Sequence, residues 1–321
     1  MQSFEELSKQ FQQHFSAEHF PLTTPTLYNP NRYFLQMGGK RIRPVAVLMG
    51  NELFDDINPD AWYVATAIEL FHNFTLIHYD IMDEAPLRRG METVHHKYGK
   101  NTALLAGDVM QVQAYDYLNR INTAYLQRIN NIFVITARQV CEGQQLDMDF
   151  EKLETVALDE YISMIAMKTS VLLAASLKIG GVLGGASKGN TEHLYEFGKS
   201  LGIAFQIQDD YLDAFGDPAM FGKQVGGDIL ANKKTFLLIH ALEVATEKQK
   251  ADLKLLMQGN PTNKVEKILA IFKACNVDVW ATELKERYYN DAIHHLEEIA
   301  VVSNRKGQLR ELAQFLIQRQ H

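Results

Sequence analysis

Residues 61–83, AWYVATAIELFHNFTLIHYDIMD, set Val64, Ile68, Phe71 and Thr75 along one side of a helix and carry apolar residues on most other sides. A helix that is apolar all round has to be enclosed by other helices, so this stretch predicts the middle of a bundle. The rest of the chain agrees with that reading. Eight prolines in 321 residues leave long stretches free to be helical, and apolar residues recur every three or four positions rather than every two. Helical patterns cover roughly 101–120, 126–150, 158–180, 190–215, 233–246 and 278–301. No alternating strand pattern, short-period repeat or Ser- or Pro-rich linker stands out. The expectation is an all-α fold in which residues 1–321 form a single domain, an antiparallel helical bundle.

Composition narrows the function. A net charge of -7 argues against a nucleic-acid binder, so basic residues gathered at one place need a local anion. Two cysteines, Cys141 and Cys275, are too few for a disulfide framework or a thiolate zinc site, and they point to a reducing, cytoplasmic location. The N-terminal MQSFEELSKQFQQHF is amphipathic and lacks the layout of a signal peptide. The most apolar window, SVLLAASLKIGGVLGGAS from Ser170, is short for a membrane span. It reads as a buried helix with a glycine break near its end, so no integral membrane protein is expected.

Several stretches carry chemistry. In GGKRIRP, residues 38–44, two glycines let backbone approach a ligand while Lys40 and Arg43 present cations at a helix start. FHNFTLIHYDIMDEAPLRRG, residues 71–90, ends an apolar helix in Asp80, Asp83 and Glu84 and then turns at Pro86 into Arg88 and Arg89. Carboxylates followed by paired guanidiniums suit a metal-bound diphosphate. His72 and His78 read as packed or hydrogen-bonded histidines rather than metal ligands. NTALLAGDVM, EGQQLDMDF and MKTS set polar groups into apolar helices, and Lys168 beside Thr169 calls for either a buried partner carboxylate or a ligand. In FQIQDDYLDAFGD, residues 205–217, Asp209 and Asp213 are four apart and share one helix face, as ligands of a hard cation would; Lys223 and Lys233 follow in a glycine-loosened segment.

These motifs, in this order, resemble the trans-isoprenyl diphosphate synthases, or polyprenyl synthetases, over nearly the whole chain. The resemblance implies a helical bundle of isoprenoid synthase type around a central apolar cavity, a homodimer, and magnesium as cofactor. The implied reaction ionises an allylic diphosphate, held through magnesium, to an allylic cation that the double bond of isopentenyl diphosphate attacks before a proton is lost. Residue by residue it implies an isopentenyl diphosphate site of Lys40, Arg43, His72 and Arg89. Arg88, Lys168 and Lys233 would bind the allylic diphosphate, with Lys223 beside them. Thr169 and Gln206 would lie near the reacting carbons, so that Lys168, Thr169, Gln206 and Lys233 form the catalytic set. Asp209 and Asp213 would hold metal, as would Asp83 with Asp80 near it. Phe74 would project into the path of the growing chain and stop it at farnesyl or geranylgeranyl length. The absence of a two-residue insertion in the first motif leans toward geranylgeranyl.

The chain departs from the family at one position. The first aspartate-rich motif should read DDxxD, and here it reads Tyr79, Asp80, Ile81, Met82, Asp83. A phenol with a pKa near about 10 is not an ordinary magnesium ligand. Either Asp80 and Glu84 form a replacement pair four apart, or Asp83 holds a weakened cluster with a higher magnesium demand. A second reading stays open, that of a diphosphate-binding paralogue, weak or inactive in catalysis, that partners another synthase.

Overall fold

The computed structural model describes residues 1–15, 18–216, 226–259 and 261–318. Their chain folds into sixteen helices and one short hairpin. In order these are α1 (Phe4–His14), α2 (Pro25–Gln36), α3 (Ile42–Glu52), α4 (Pro59–Met82), β1 (Leu87–Arg88), β2 (Met91–Glu92), α5 (Val94–Tyr98), α6 (Lys100–Leu118) and α7 (Thr123–Lys152). After α8 (Leu158–Ile165) and a π turn (Ala166–Ser170) come α9 (Val171–Leu183), α10 (Lys188–Phe215), α11 (Gly227–Leu230), α12 (Phe236–Val244), α13 (Glu247–Gln258), α14 (Lys264–Ala274), α15 (Val277–Glu298) and α16 (Gly307–Ile317). The expected all-α class is what forms. The chain divides into two compact units, Met1–Phe133 with Ser176–Thr191, and Val134–Ala175 with Glu192–His321.

In the first unit α4 is the enclosed helix. Asn58 caps it by accepting the Asp60 N–H at 2.9 Å, and Pro59 occupies its first turn, where a missing N–H costs nothing. Ala61, Val64, Ala65, Ile68, Leu70 and Phe71 are all at most 1% exposed. Close helix packing in this unit rests on small residues. A Cβ on Gly50 of α3 would strike the Leu177 carbonyl, and one on Gly180 would strike the Val47 carbonyl and approach the Asn51 nitrogen to 2.8 Å. Gly180 therefore lies within α9 as a point of backbone contact. The helix ends at Leu183, where Gly185 takes a φ of 78°. The glycine break expected from sequence is thus at its last pair of glycines only.

The second unit buries a core that includes Tyr161, Met164, Ile207, Phe236, Leu253 and Phe272. The run Leu158–Leu183 is long and apolar enough, by composition, to cross a membrane, but 67% of its most apolar window is buried in the protein.

Candidate active site

Within the first unit, the GGKRIRP segment divides its cations between two jobs. Arg41 turns inward with a left-handed φ of 53° and is 4% exposed. It pairs with Glu69, whose carboxylate also accepts Asn73 Nδ2 at 2.9 Å, and its guanidinium sits 4.9 Å from the centre of the Phe15 ring. Arg41 is therefore an internal anchor that the sequence reading did not single out. Lys40 is exposed. Arg43, in the first turn of α3, reaches α4, where its Nη1 lies 3.3 Å from His72 Nε2.

His72 is not a cation. Burial first, then the guanidiniums of Arg43, Arg89, Arg88 and Arg41, push its pKa well below the ordinary histidine value. Its Nε2 then accepts from Arg43, which places the ring proton on Nδ1. The hairpin brings a further arginine to the same segment. Arg89 and Gly90 take φ values of 53° and 77°, the left-handed pair that a two-residue hairpin turn requires. From there Arg89 donates to the Gly38 carbonyl, and a Cβ on Gly39 would lie 3.1 Å from its guanidinium nitrogens. No alternating pattern announces strands of two residues, so the hairpin was not legible in the sequence.

At the end of α4, Asp80 is 1% exposed, and Arg88 grips it at two points. Arg88 Nε donates to both carboxylate oxygens at 2.8 and 2.9 Å, and Nη2 donates to Oδ1 at 2.7 Å. Asp83 is the residue that follows the helix, and it is exposed. Glu84 has left the helix with a left-handed φ of 48°, so the Asp80 and Glu84 pairing on one helical face does not form. Phe74 is 8% exposed, with its ring 5.6 Å from Phe71 and 4.9 Å, edge-on, from His78. Gly107 of α6 leaves the space that the His78 imidazole fills.

Within the second unit, Lys168 and Thr169 lie on the π turn, where one extra residue widens the helix. The turn is wedged between two glycines. A Cβ on Gly143 of α7 would collide with the Lys168 amide and lie 2.8 Å from Lys168 Cα, and one on Gly202 of α10 would lie 2.8 Å from Ser170 Cα. Lys168 Nζ donates to Asp147 of α7 at 2.5 Å. Thr169 Oγ1 donates to Gln206 Oε1 at 3.2 Å, and Gln206 Nε2 donates to Asp210 Oδ1 at 2.8 Å. The Tyr161 hydroxyl closes the chain on Asp210 Oδ2 at 2.5 Å. Burial, and then the charge of Asp228, push the Asp210 carboxyl up to about 7.

Lys233 Nζ is 2.9 Å from Asp228, whose own N–H donates to Asp213 Oδ2 at 3.0 Å. Burial works against the charge on Lys233, but the Asp228, Asp147 and Asp210 carboxylates outweigh it and raise its pKa. Asp147, Lys168, Thr169, Gln206, Asp228 and Lys233 line one cleft of about 570 Å³, part of it open to solvent. Asp147 and Asp228 were not legible as site residues, because their partners come from other elements. Lys223 lies outside the described residues.

The two aspartate motifs differ in their fitness for a metal. Asp209 and Asp213 stand one turn apart on α10, half-buried, and offer the hard oxygen donors that magnesium takes. Among the described residues no three His, Cys, Asp or Glu side chains close into a metal cage. A pair of carboxylates suits an ion that keeps waters and binds phosphate oxygens. The motif at the end of α4 does not fit a carboxylate-bridged metal pair, since Tyr79 brings a neutral phenol and Asp80 is engaged by Arg88.

The polyprenyl synthetase family profile matches residues 24–275. The chain is 37% identical over 303 residues to the geranylgeranyl diphosphate synthase of Sulfolobus acidocaldarius, covering 92% of this chain and 91% of that one. It is 36% identical to a short chain isoprenyl diphosphate synthase of Methanothermobacter thermautotrophicus, over 94% and 92% of the two chains. A crystal structure of a geranylgeranyl pyrophosphate synthase superposes with a TM-score of 0.95 at 39% identity and 99% coverage of both chains. The synthetase from Pyrococcus horikoshii superposes with a TM-score of 0.92 at 35% identity, over 98% of each. An all-helical chain with both aspartate helices, the paired arginines and the π-turn lysine, matched over nine-tenths of its length, belongs to the polyprenyl synthetase family.

Proposed function

We propose that this chain is a short-chain prenyltransferase that condenses isopentenyl diphosphate with an allylic diphosphate, and that geranylgeranyl diphosphate is its product. The observation that carries the reading is the cleft of the second unit. It sets a lysine, a hydroxyl and an amide on a π turn and the neighbouring helix, close to the aspartates of α10. The curated relatives named as synthases match over more than nine-tenths of their length and of this chain, and the reading as an inactive partner protein finds no support beside them. The family match runs through both units, which favours one synthetase domain over residues 1–321.

Each group has a derivable part. Arg43, Arg89 and Lys40 offer guanidinium and ammonium donors to the diphosphate of isopentenyl diphosphate, and neutral His72 holds the Arg43 fork in place. Lys168 and Lys233 present charge to the allylic diphosphate, each positioned by an ion pair, with Asp147 and Asp228 respectively. These cations stabilise the charge that grows on the diphosphate as it leaves. The Thr169 hydroxyl and Gln206 amide line the cleft, held in a hydrogen-bonded chain that runs on to Asp210 and Tyr161. Magnesium, held by Asp209 and Asp213, would supply Lewis-acid neutralisation of the leaving diphosphate. Phe74, packed between Phe71 and His78, is the floor that limits chain growth.

The chain acts in the cytoplasm as a homodimer. Free Cys141 and Cys275 suit a reducing compartment, and Leu104, Leu105 and Val112, 39%, 58% and 67% exposed, form an apolar face on α6. Light scattering that gave a monomer at micromolar concentration would exclude the dimer. The activity is tested by incubating purified protein with isopentenyl diphosphate and each allylic primer over a magnesium series, and separating products by carbon number. A C20 product supports the reading; absence of product at every magnesium level removes it.

A further inference from the structure

We propose that the end of α4 in this chain does not assemble a carboxylate-bridged pair of metal ions. The proposal rests on the synthase reading for its ligands and on the local geometry for its content. Tyr79 puts a neutral hydroxyl at a position where the family pattern has a carboxylate. Asp80 is enclosed and gripped at two points by Arg88, so turning it toward a metal would break a buried ion pair and leave a guanidinium without its carboxylate. Glu84 is off the helical face, its backbone having left the helix. Asp83 alone remains, exposed at the helix end, and a single carboxylate one turn away from a phenol has no bridging partner.

The local charge balance points the same way. Four guanidiniums, Arg41, Arg43, Arg88 and Arg89, act on His72. Among the described residues two of them are matched by carboxylates, Arg41 by Glu69 and Arg88 by Asp80. Arg43 and Arg89 are held instead by an imidazole nitrogen and a carbonyl, neutral acceptors that orient a guanidinium and leave its charge for an anion. Two guanidiniums without a paired carboxylate add positive charge beside the end of α4, which weighs further against gathering metal ions there.

The test counts metal ions without turnover. Manganese is titrated into the full chain with isopentenyl diphosphate and a non-cleavable allylic thiodiphosphate, and free manganese is read by electron paramagnetic resonance. Tyr79→Asp should bind one ion more than the unmodified chain, and Tyr79→Phe should bind the same number. An unchanged count in Tyr79→Asp, or a lost ion in Tyr79→Phe, overturns the proposal. Should Tyr79→Asp fail to fold by circular dichroism, Asp83→Asn decides: loss of one ion or none fits, and loss of two overturns it. Because the count needs no product, an inactive protein would remove the catalytic reading and leave the metal count to be judged on its own.

Discussion

Gly143→Ala probes the π turn most directly. The added methyl would collide with the Lys168 amide and lie 2.8 Å from both Lys168 Cα and the Met167 carbonyl carbon, where ordinary contact begins at 3.4 Å. The obstacle is backbone on both sides, so no side chain can swing away. Either α7 or the π turn must retreat by roughly half an ångström or more, and overpacking of this kind costs about 1–3 kcal/mol. The same shift moves Lys168 and Thr169 relative to Gln206. Since a misplacement of about 1 Å in a positioning group can cost roughly 100-fold in rate, we expect kcat to fall by about 10- to 100-fold. The assay is steady-state condensation with radiolabelled isopentenyl diphosphate, beside thermal unfolding of the same preparation. Retention of full kcat with an unchanged melting temperature would refute the idea that close approach at Gly143 sets the geometry of the turn.

Three further outcomes are expected. Asp209→Ala should lower condensation by more than about 100-fold while the melting temperature stays within a few degrees, a result read from product formation and calorimetry together. Phe74→Ala should shift product from C20 toward longer chains, seen by reversed-phase separation of the dephosphorylated alcohols; an unchanged C20 product would remove Phe74 as the floor. His19 is 9% exposed, its Nδ1 lies 2.8 Å from the Tyr117 hydroxyl, and burial holds its pKa down at about 4 against 6.5 for a free histidine. The unfolded chain therefore binds the extra proton first, so stability is full above pH 6.5 and falls by about 3 kcal/mol as pH drops to 4. His19→Leu should flatten that limb of the melting curve, and a limb of unchanged slope would refute the assignment.

How far the sequence could be read depended on whether a signal was local. Helices were legible because apolar spacing reports which face is enclosed: 61–83 corresponds to α4 and 190–215 to α10 within two residues at each end. Asp209 and Lys168 could be singled out because each stands in a polar break of an apolar pattern, and Arg43 through the family resemblance. Pairings across elements could not. Nothing in EGQQLDMDF says that Asp147 will meet Lys168, and nothing in GGKRIRP separates Arg41, which turns inward to Glu69, from Arg43, which turns to His72. The Tyr79 substitution was visible, but its meaning depended on finding Asp80 already bound by Arg88.

The π turn also has a bearing on which changes of chain length the protein can bear. The Val171 N–H reaches back five residues to the Ala166 carbonyl, so the run from Leu158 to Leu183 holds one residue more than an unbroken α-helix would. Its apolar stripe changes phase at this point, with one frame up to Ile165 and another from Val171. Deleting a single residue there would merge the frames and turn everything downstream by roughly 100° about the helix axis. Substitutions across 166–170 act on one side chain each, whereas an insertion or deletion rotates a whole buried helix. Related chains should accordingly keep the length of this segment fixed even where its residues other than Lys168 and Thr169 differ.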